Sequence, residues 1–197
     1  MRLPIVLLGV VAVSLDAVPV CAQRIGIAFD PEGKVCSREV SPGDKGSIWV
    51  LAFFEDLEGP PIVAAQFRVA GLPEEWSYSD RSDTVEGWGI RELEGGVTMG
   101  FSNSIPRTSI IPLWRIDYWA RVPETMTATL RIEAHPFAPT LAPLLVTQDD
   151  GTACHGTAVP RFTIIPTSSG QEAVINGPCT IDIERNTWQE IKNLYRE

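Results

Sequence analysis

Along most of this chain, apolar and polar residues alternate one for one. Val63, Ala65, Phe67 and Val69 are interleaved with Ala64, Gln66 and Arg68, and Trp114, Ile116, Tyr118 and Ala120 with Arg115, Asp117, Trp119 and Arg121. Ala128, Leu130, Ile132 and Ala134 alternate in the same way with Thr127, Thr129, Arg131 and Glu133. A period of two is that of a β-strand with one face in a core and the other toward water. Shorter apolar runs predict further strands over residues 25–30, 47–54, 87–93, 97–102, 161–165 and 180–183. Gly95-Gly96 predicts a hairpin, while Pro42-Gly43 and Gly59-Pro60-Pro61 mark loops. Sixteen prolines in 197 residues oppose long helices, because proline removes a backbone donor and clashes with the preceding turn. The pattern predicts an all-β protein built as a single antiparallel β-sandwich.

The period changes at both ends. Thr187-Trp188-Gln189-Glu190 has the form of a helix capping box, and Trp188, Ile191, Leu194 and Tyr195 follow at helical spacing. So short an amphipathic helix is unstable alone in water, so its apolar stripe needs a surface, on its own sandwich or on a partner. Those four residues form a candidate docking tail. At the other end, Arg2 precedes an apolar run over residues 3–15, and small residues at Val20 and Ala22 suit cleavage after Ala22. This is the pattern of a secretory signal peptide, and the run falls short of the roughly twenty residues that span a bilayer. Cys21 raises the alternative of a lipoprotein junction, but Val18, Pro19 and Val20 lack the Leu-(Ala/Ser)-(Gly/Ala) triplet expected before an acylated cysteine. The expected organisation is a signal peptide at 1–22, a β-sandwich domain at 23–184 and a helix or tail at 185–197. The chain is expected to be secreted, extracellular or periplasmic, with no transmembrane segment.

Export changes the meaning of the cysteines. Of Cys36, Cys154 and Cys179, two are expected to join in an oxidising compartment and one to be left over. Their spacings fit no zinc motif. The net charge of −9 excludes nucleic acid and anionic membrane as partners, since phosphate binding needs clustered Lys and Arg.

Candidate chemistry is sparse. The two histidines are His135, expected at the surface or as a cap beside Pro136, and His155. Gly100-Phe101-Ser102-Asn103-Ser104 lacks the second glycine and the following helix of a nucleophile elbow. Asp149 and Asp150 open the densest polar cluster, running to Gly156, which reads either as a calcium site or as a tight turn at Asp-Gly, with the turn preferred. Glu55, Asp56, Glu74, Glu75, Asp80 and Asp83 are the loop carboxylates available to a hydrolase. Trp49 and Trp114 lie in core-like runs, whereas Trp76, Trp88 and Trp119 are candidates for an exposed aromatic platform that would stack on a sugar ring. With no nucleophile–base couple and no strong metal motif, the expectation is a non-enzymatic module. It would act through a protein partner or, alternatively, an extracellular glycan, with no cofactor beyond a candidate calcium ion.

Two stretches carry a resemblance. Residues 25–30, Ile-Gly-Ile-Ala-Phe-Asp, then Cys36 and the run Ala64-Ala65-Gln66-Phe67-Arg68-Val69-Ala70-Gly71-Leu72-Pro73, resemble a group of uncharacterised secreted bacterial proteins. Members often end in Thr-Trp-x-x-Ile/Val-Lys-x-Leu-Tyr-Arg, matched here by Thr187 to Arg196. The resemblance implies a bacterial β-sandwich and brings no activity. The front half also resembles a cohesin, an immunoglobulin-like sandwich of about nine strands that binds dockerin modules, which implies a protein-binding role. In a cohesin-like topology the first and last strands run parallel, which implies a Cys36–Cys154 disulfide with Cys179 free.

Overall fold

The computed structural model describes residues 23–55, 57–81, 87–92, 95–121, 127–138, 141–151 and 159–179. The expected signal peptide, the strand at 180–183, Cys154, His155 and the tail residues Trp188, Ile191, Leu194 and Tyr195 lie outside them. Every regular element described is a strand: β1 (Arg24–Ala28), β2 (Ser37–Arg38), β3 (Lys45–Phe53), β4 (Ile62–Ala70), β5 (Ser77–Arg81), β6 (Gly87–Glu92), β7 (Gly96–Ile105), β8 (Ile110–Trp119), β9 (Ala128–Glu133), β10 (Leu144–Gly151), β11 (Val159–Pro166), β12 (Ser168–Ser169) and β13 (Ala173–Ile175).

They form two sheets. One runs β12-β1-β3-β8-β5; the other runs β11-β10-β4-β9-β13-β2, with β7 added beside β4 and β6 beside β7. All ladders are antiparallel except the short pairings of β1 with β12 and β2 with β13. The core lies between the sheets: Ile25, Ile27, Ile48, Val50 and Ile116 from one meet Ala65, Phe67, Met99, Leu130 and Ile132 from the other. Phe67 and Trp114 touch across it, ring centroids 6.2 Å apart. This is an antiparallel β-sandwich, driven by burial of one face of each alternating strand.

Bulges explain where the simple alternation slips. The β4 register with β7 jumps between Ile62 and Ala64, so Ile62 rather than Val63 is buried. Against β3, Val50 faces Trp114 but Leu51 faces Pro112, and the extra residue lets Leu113 and Trp114 both enter the core. Trp49, expected in the core, is instead half-buried on the outward face of β3. Gly71 ends β4 at φ +83, where an added Cβ would collide with the Thr129 carbonyl.

The disulfide departs from expectation. Cys36 is joined to Cys179, not Cys154, with Cα atoms 5.8 Å apart. The cause is the placement of the last described strand, which precedes Cys179 rather than following it. β13 runs parallel to β2, with Val174 opposite Ser37, and Asn176 then turns the chain at φ 52. Its side chain accepts from Val40 N at 2.7 Å and donates to Val40 O at 3.2 Å. Ser37 Oγ donates to Gly177 O at 2.6 Å, so the returning chain brings Cys179 to Cys36.

Candidate functional site

The outward face of the five-stranded sheet carries a set of cross-strand side-chain couples. Alternation along β8 turns Arg115, Asp117 and Trp119 away from the core, while register sets Trp49, Ser47 and Lys45 of β3 opposite them. Arg115 Nε donates to Asp117 Oδ1 at 2.8 Å and reaches Ser47 Oγ at 3.2 Å. Ser47 Oγ donates to the same carboxylate oxygen at 2.7 Å. The Arg115 guanidinium lies over Trp49, 5.4 Å from its centroid. At the end of the strand Trp119 is 44% exposed, with the Lys45 ammonium 5.4 Å and the Arg121 guanidinium 4.9 Å from its ring centroid.

These contacts fix the surface. Cation–π contacts orient both indoles, and Ser47 Oγ, Asp117 Oδ1 and Arg115 Nε partner one another. Ser77 and Ser79 of the neighbouring edge strand β5 complete a shallow, open cavity of about 530 Å³ between Lys45, Ser47, Asp117 and Trp119. Ser47 donates to the same carboxylate oxygen that accepts from Arg115, so one acid bridges the two strands. Beneath the face, Tyr78 Oη donates to Pro73 O at 2.8 Å. Burial raises the pKa of both Tyr78 and Tyr118, so each phenol stays neutral.

The three-tryptophan platform does not assemble. Trp76 is only 7% exposed, because a turn that hydrogen-bonds its amide to Pro73 O tucks the ring inward, where it stacks on Tyr118 with centroids 4.8 Å apart. Trp88 lies on β6, paired with Gly100 in the other sheet, while Trp119 remains at the surface. Asp149 and Asp150 do not form the expected turn: β10 continues to Gly151, with Asp149 opposite Arg161 and Asp150 opposite Pro160. Among the described residues no three His, Cys, Asp or Glu converge in a manner suited to a metal.

The segment from Gly100 to Ser104 lies within β7, not at an elbow. His135 caps a turn as expected, its Nδ1 accepting from Phe137 N at 3.1 Å. Two features escaped the sequence reading. Alternation put Arg115 and Asp117 outward but did not reveal that Ser47 and Trp49 face them. Phe137 and Leu141, in a proline-rich stretch, are among the most exposed large apolar residues described.

No family model matches this sequence, and no curated protein matches it. Solved structures do match. The seventh type I cohesin of ScaB from Pseudobacteroides cellulosolvens superposes with a TM-score of 0.52 and 11% identity, covering 81% of this chain and 94% of that one. The sixth cohesin of scaffoldin B from Acetivibrio cellulolyticus, solved with a Cel5 dockerin, gives 0.47 at 13% identity over 80% and 99% of the two chains. A cohesin module from a Clostridium perfringens family 33 glycoside hydrolase gives 0.46 at 12% identity over 79% and 98%. At such identities the likeness is one of architecture: the chain has a cohesin-like β-sandwich fold.

Proposed function

We propose that this chain is an exported, non-catalytic binding module that joins a protein partner through the outward face of its five-stranded sheet. The observation that carries the reading is Trp119, held half-exposed against Lys45 and Arg121 beside the ordered Trp49–Arg115–Asp117–Ser47 group. Tryptophan and arginine dominate the energetics of protein interfaces, and side chains already fixed lose less entropy on binding. The cohesin-like fold supports the reading by supplying two broad outward sheet faces. A glycan is the second reading, favoured by the exposure of Trp119. The cations over that indole compete with sugar stacking, which is why protein is preferred.

The test compares the parent with Trp119→Ala and Arg115→Ala in affinity capture from secreted proteins of its host, followed by titration with the purified partner. A discrete protein should be retained, and its Kd should weaken at least about tenfold, near 1.4 kcal/mol, in Trp119→Ala. Unchanged affinity in both variants removes this face from the proposal. A glycan-array signal lost in Trp119→Ala would select the carbohydrate reading. Turnover of glycoside or ester substrates abolished by one Asp or Glu substitution would select a hydrolase.

A further inference from the structure

Acidic side chains outnumber Lys and Arg in this chain, 25 to 16, so a surface cation ordinarily finds a carboxylate. Arg24 pairs with Glu55, Arg68 and Arg131 with Glu133, and Arg115 with Asp117. One corner of the five-stranded sheet departs from this. Lys45 and Arg121 are both exposed, and neither meets a carboxylate among the described residues. Both are turned instead to the ring of Trp119, which alone among the described rings holds two cations.

The backbone builds this corner. Register sets Lys45 of β3 opposite Trp119 on one side and Ser77 of β5 opposite it on the other. Arg121 follows two residues later, and the chain that carries it is tied beside Lys45: Ala120 N donates to Asp44 O at 2.9 Å, and Gly43 N to Ala120 O at 2.8 Å. The two local carboxylates are turned elsewhere. Asp44 Oδ2 accepts from Ser41 N at 2.9 Å, and Asp117 Oδ1 accepts from Ser47 and Arg115. Next to the ring, Gly46, Ser77 and Ser79 leave the shallow cavity open above Tyr118, whose hydroxyl would collide with any Cβ at Gly46.

Resting on the sheet-face reading above, we propose that this corner recognises an acidic segment of the partner protein: a large apolar side chain enters the cavity beside Trp119, while flanking Asp or Glu carboxylates meet Lys45 and Arg121. Charge complementarity selects that occupant. On a chain of net charge −9, Lys45, Arg115 and Arg121 make a locally positive corner, which steers an anionic segment to this place and repels a basic one. Exposed ion pairs contribute little, but an apolar side chain seated beside them excludes water and strengthens both. Because the indole already holds the two cations in place, less side-chain freedom is lost on binding. A second copy of this chain, itself strongly acidic overall, is opposed by net repulsion.

A random peptide display library selected on the full chain, and counter-selected on Trp119→Ala, identifies what the corner accepts. Sequences with Asp or Glu flanking a large apolar residue are expected. A selected peptide should bind Lys45→Glu and Arg121→Glu at least about tenfold more weakly than parent, and lose a similar factor when its own acids become Asn or Gln. Its Kd should rise severalfold between about 50 and 500 mM NaCl, since salt screens exposed charges. Both variants should melt within about 2 °C of parent, as surface substitutions do. Lys45→Gln and Arg121→Gln, which remove charge without reversing it, should weaken binding by a smaller factor and carry the test should reversal lower Tm. A neutral or basic consensus, no Trp119-dependent sequence, or unchanged affinity in the charge variants overturns the proposal. So does a concentration-dependent dimer of the chain that Lys45→Glu dissolves. If a captured protein partner depends on Trp119 yet keeps its Kd within about twofold in Lys45→Glu and Arg121→Glu, the sheet-face reading stands and the acidic assignment falls.

Discussion

Glu133 receives two guanidinium groups, one from Arg68 across the β4–β9 ladder and one from Arg131 on its own strand, at 2.8 Å. The Arg68 hydrogen bond first, and that of Arg131 second, hold its carboxyl below the ordinary value of 4.5. A depressed folded-state pKa stabilises the fold above the unfolded value, and that stabilisation is lost as pH falls through the depressed value. Glu133→Gln is therefore expected to lower Tm at pH 7, and its deficit relative to parent should shrink as pH drops below about 4.5. A deficit independent of pH down to 3 would show that charge is not what Glu133 contributes. Single residues also mark how far sequence reading reaches. Trp114 and Trp119 were legible because strand parity alone assigns them inward and outward. Trp76 was not, because its burial depends on a turn and on Tyr118, a ring far away in sequence. Trp49 failed for a related reason: it lies in an apolar run, but strand parity puts it outward beside Arg115.

Elements were legible in proportion to their own hydrophobic signal. Strands such as β4, β8 and β9 announce themselves by alternation over six or more residues. β2, β5, β12 and β13 do not, since Ser37-Arg38, Ser77 to Arg81, Ser168-Ser169 and Ala173 to Ile175 are too short or too polar to carry a period. Their existence is decided by the edges they complete, which is tertiary information. The omission of β13 misdirected the cysteines. Peptide mapping without reduction should recover Cys36 joined to Cys179, and a Cys36–Cys154 peptide would overturn the assignment. Cys179→Ser or Cys36→Ser should destabilise the fold substantially, with the chain-entropy relation giving about 5 kcal/mol as a ceiling for so long a loop. The loss would be read from urea midpoints in oxidised parent and variant.

At the scale of the molecule, the Cys36–Cys179 bridge fixes the point from which residues 180–197 depart. Among the described residues the core extends to Ile175, and the amphipathic C-terminal sequence is proposed to serve a partner rather than the core. Truncation after Glu184 is expected to leave Tm within about 2 °C while abolishing surface retention or co-purification. A large drop in Tm would return the segment to the core. The parallel pairing of β1 with β12 has a consequence in time. Arg24 and Ile25 find their partners only at Ser168 and Ser169, so the first strand to emerge has an edge that stays unpaired until nearly the whole chain is available. A polypeptide threaded from its N-terminus through an export channel would therefore remain loose during passage, close its sheet on the far side, and only then oxidise the bridge. Such long-range closure is slow compared with local folding, and until it occurs the edge of β1 is open to other chains. In the exported module proposed above, delivery and folding would be separated by the order of the strands themselves.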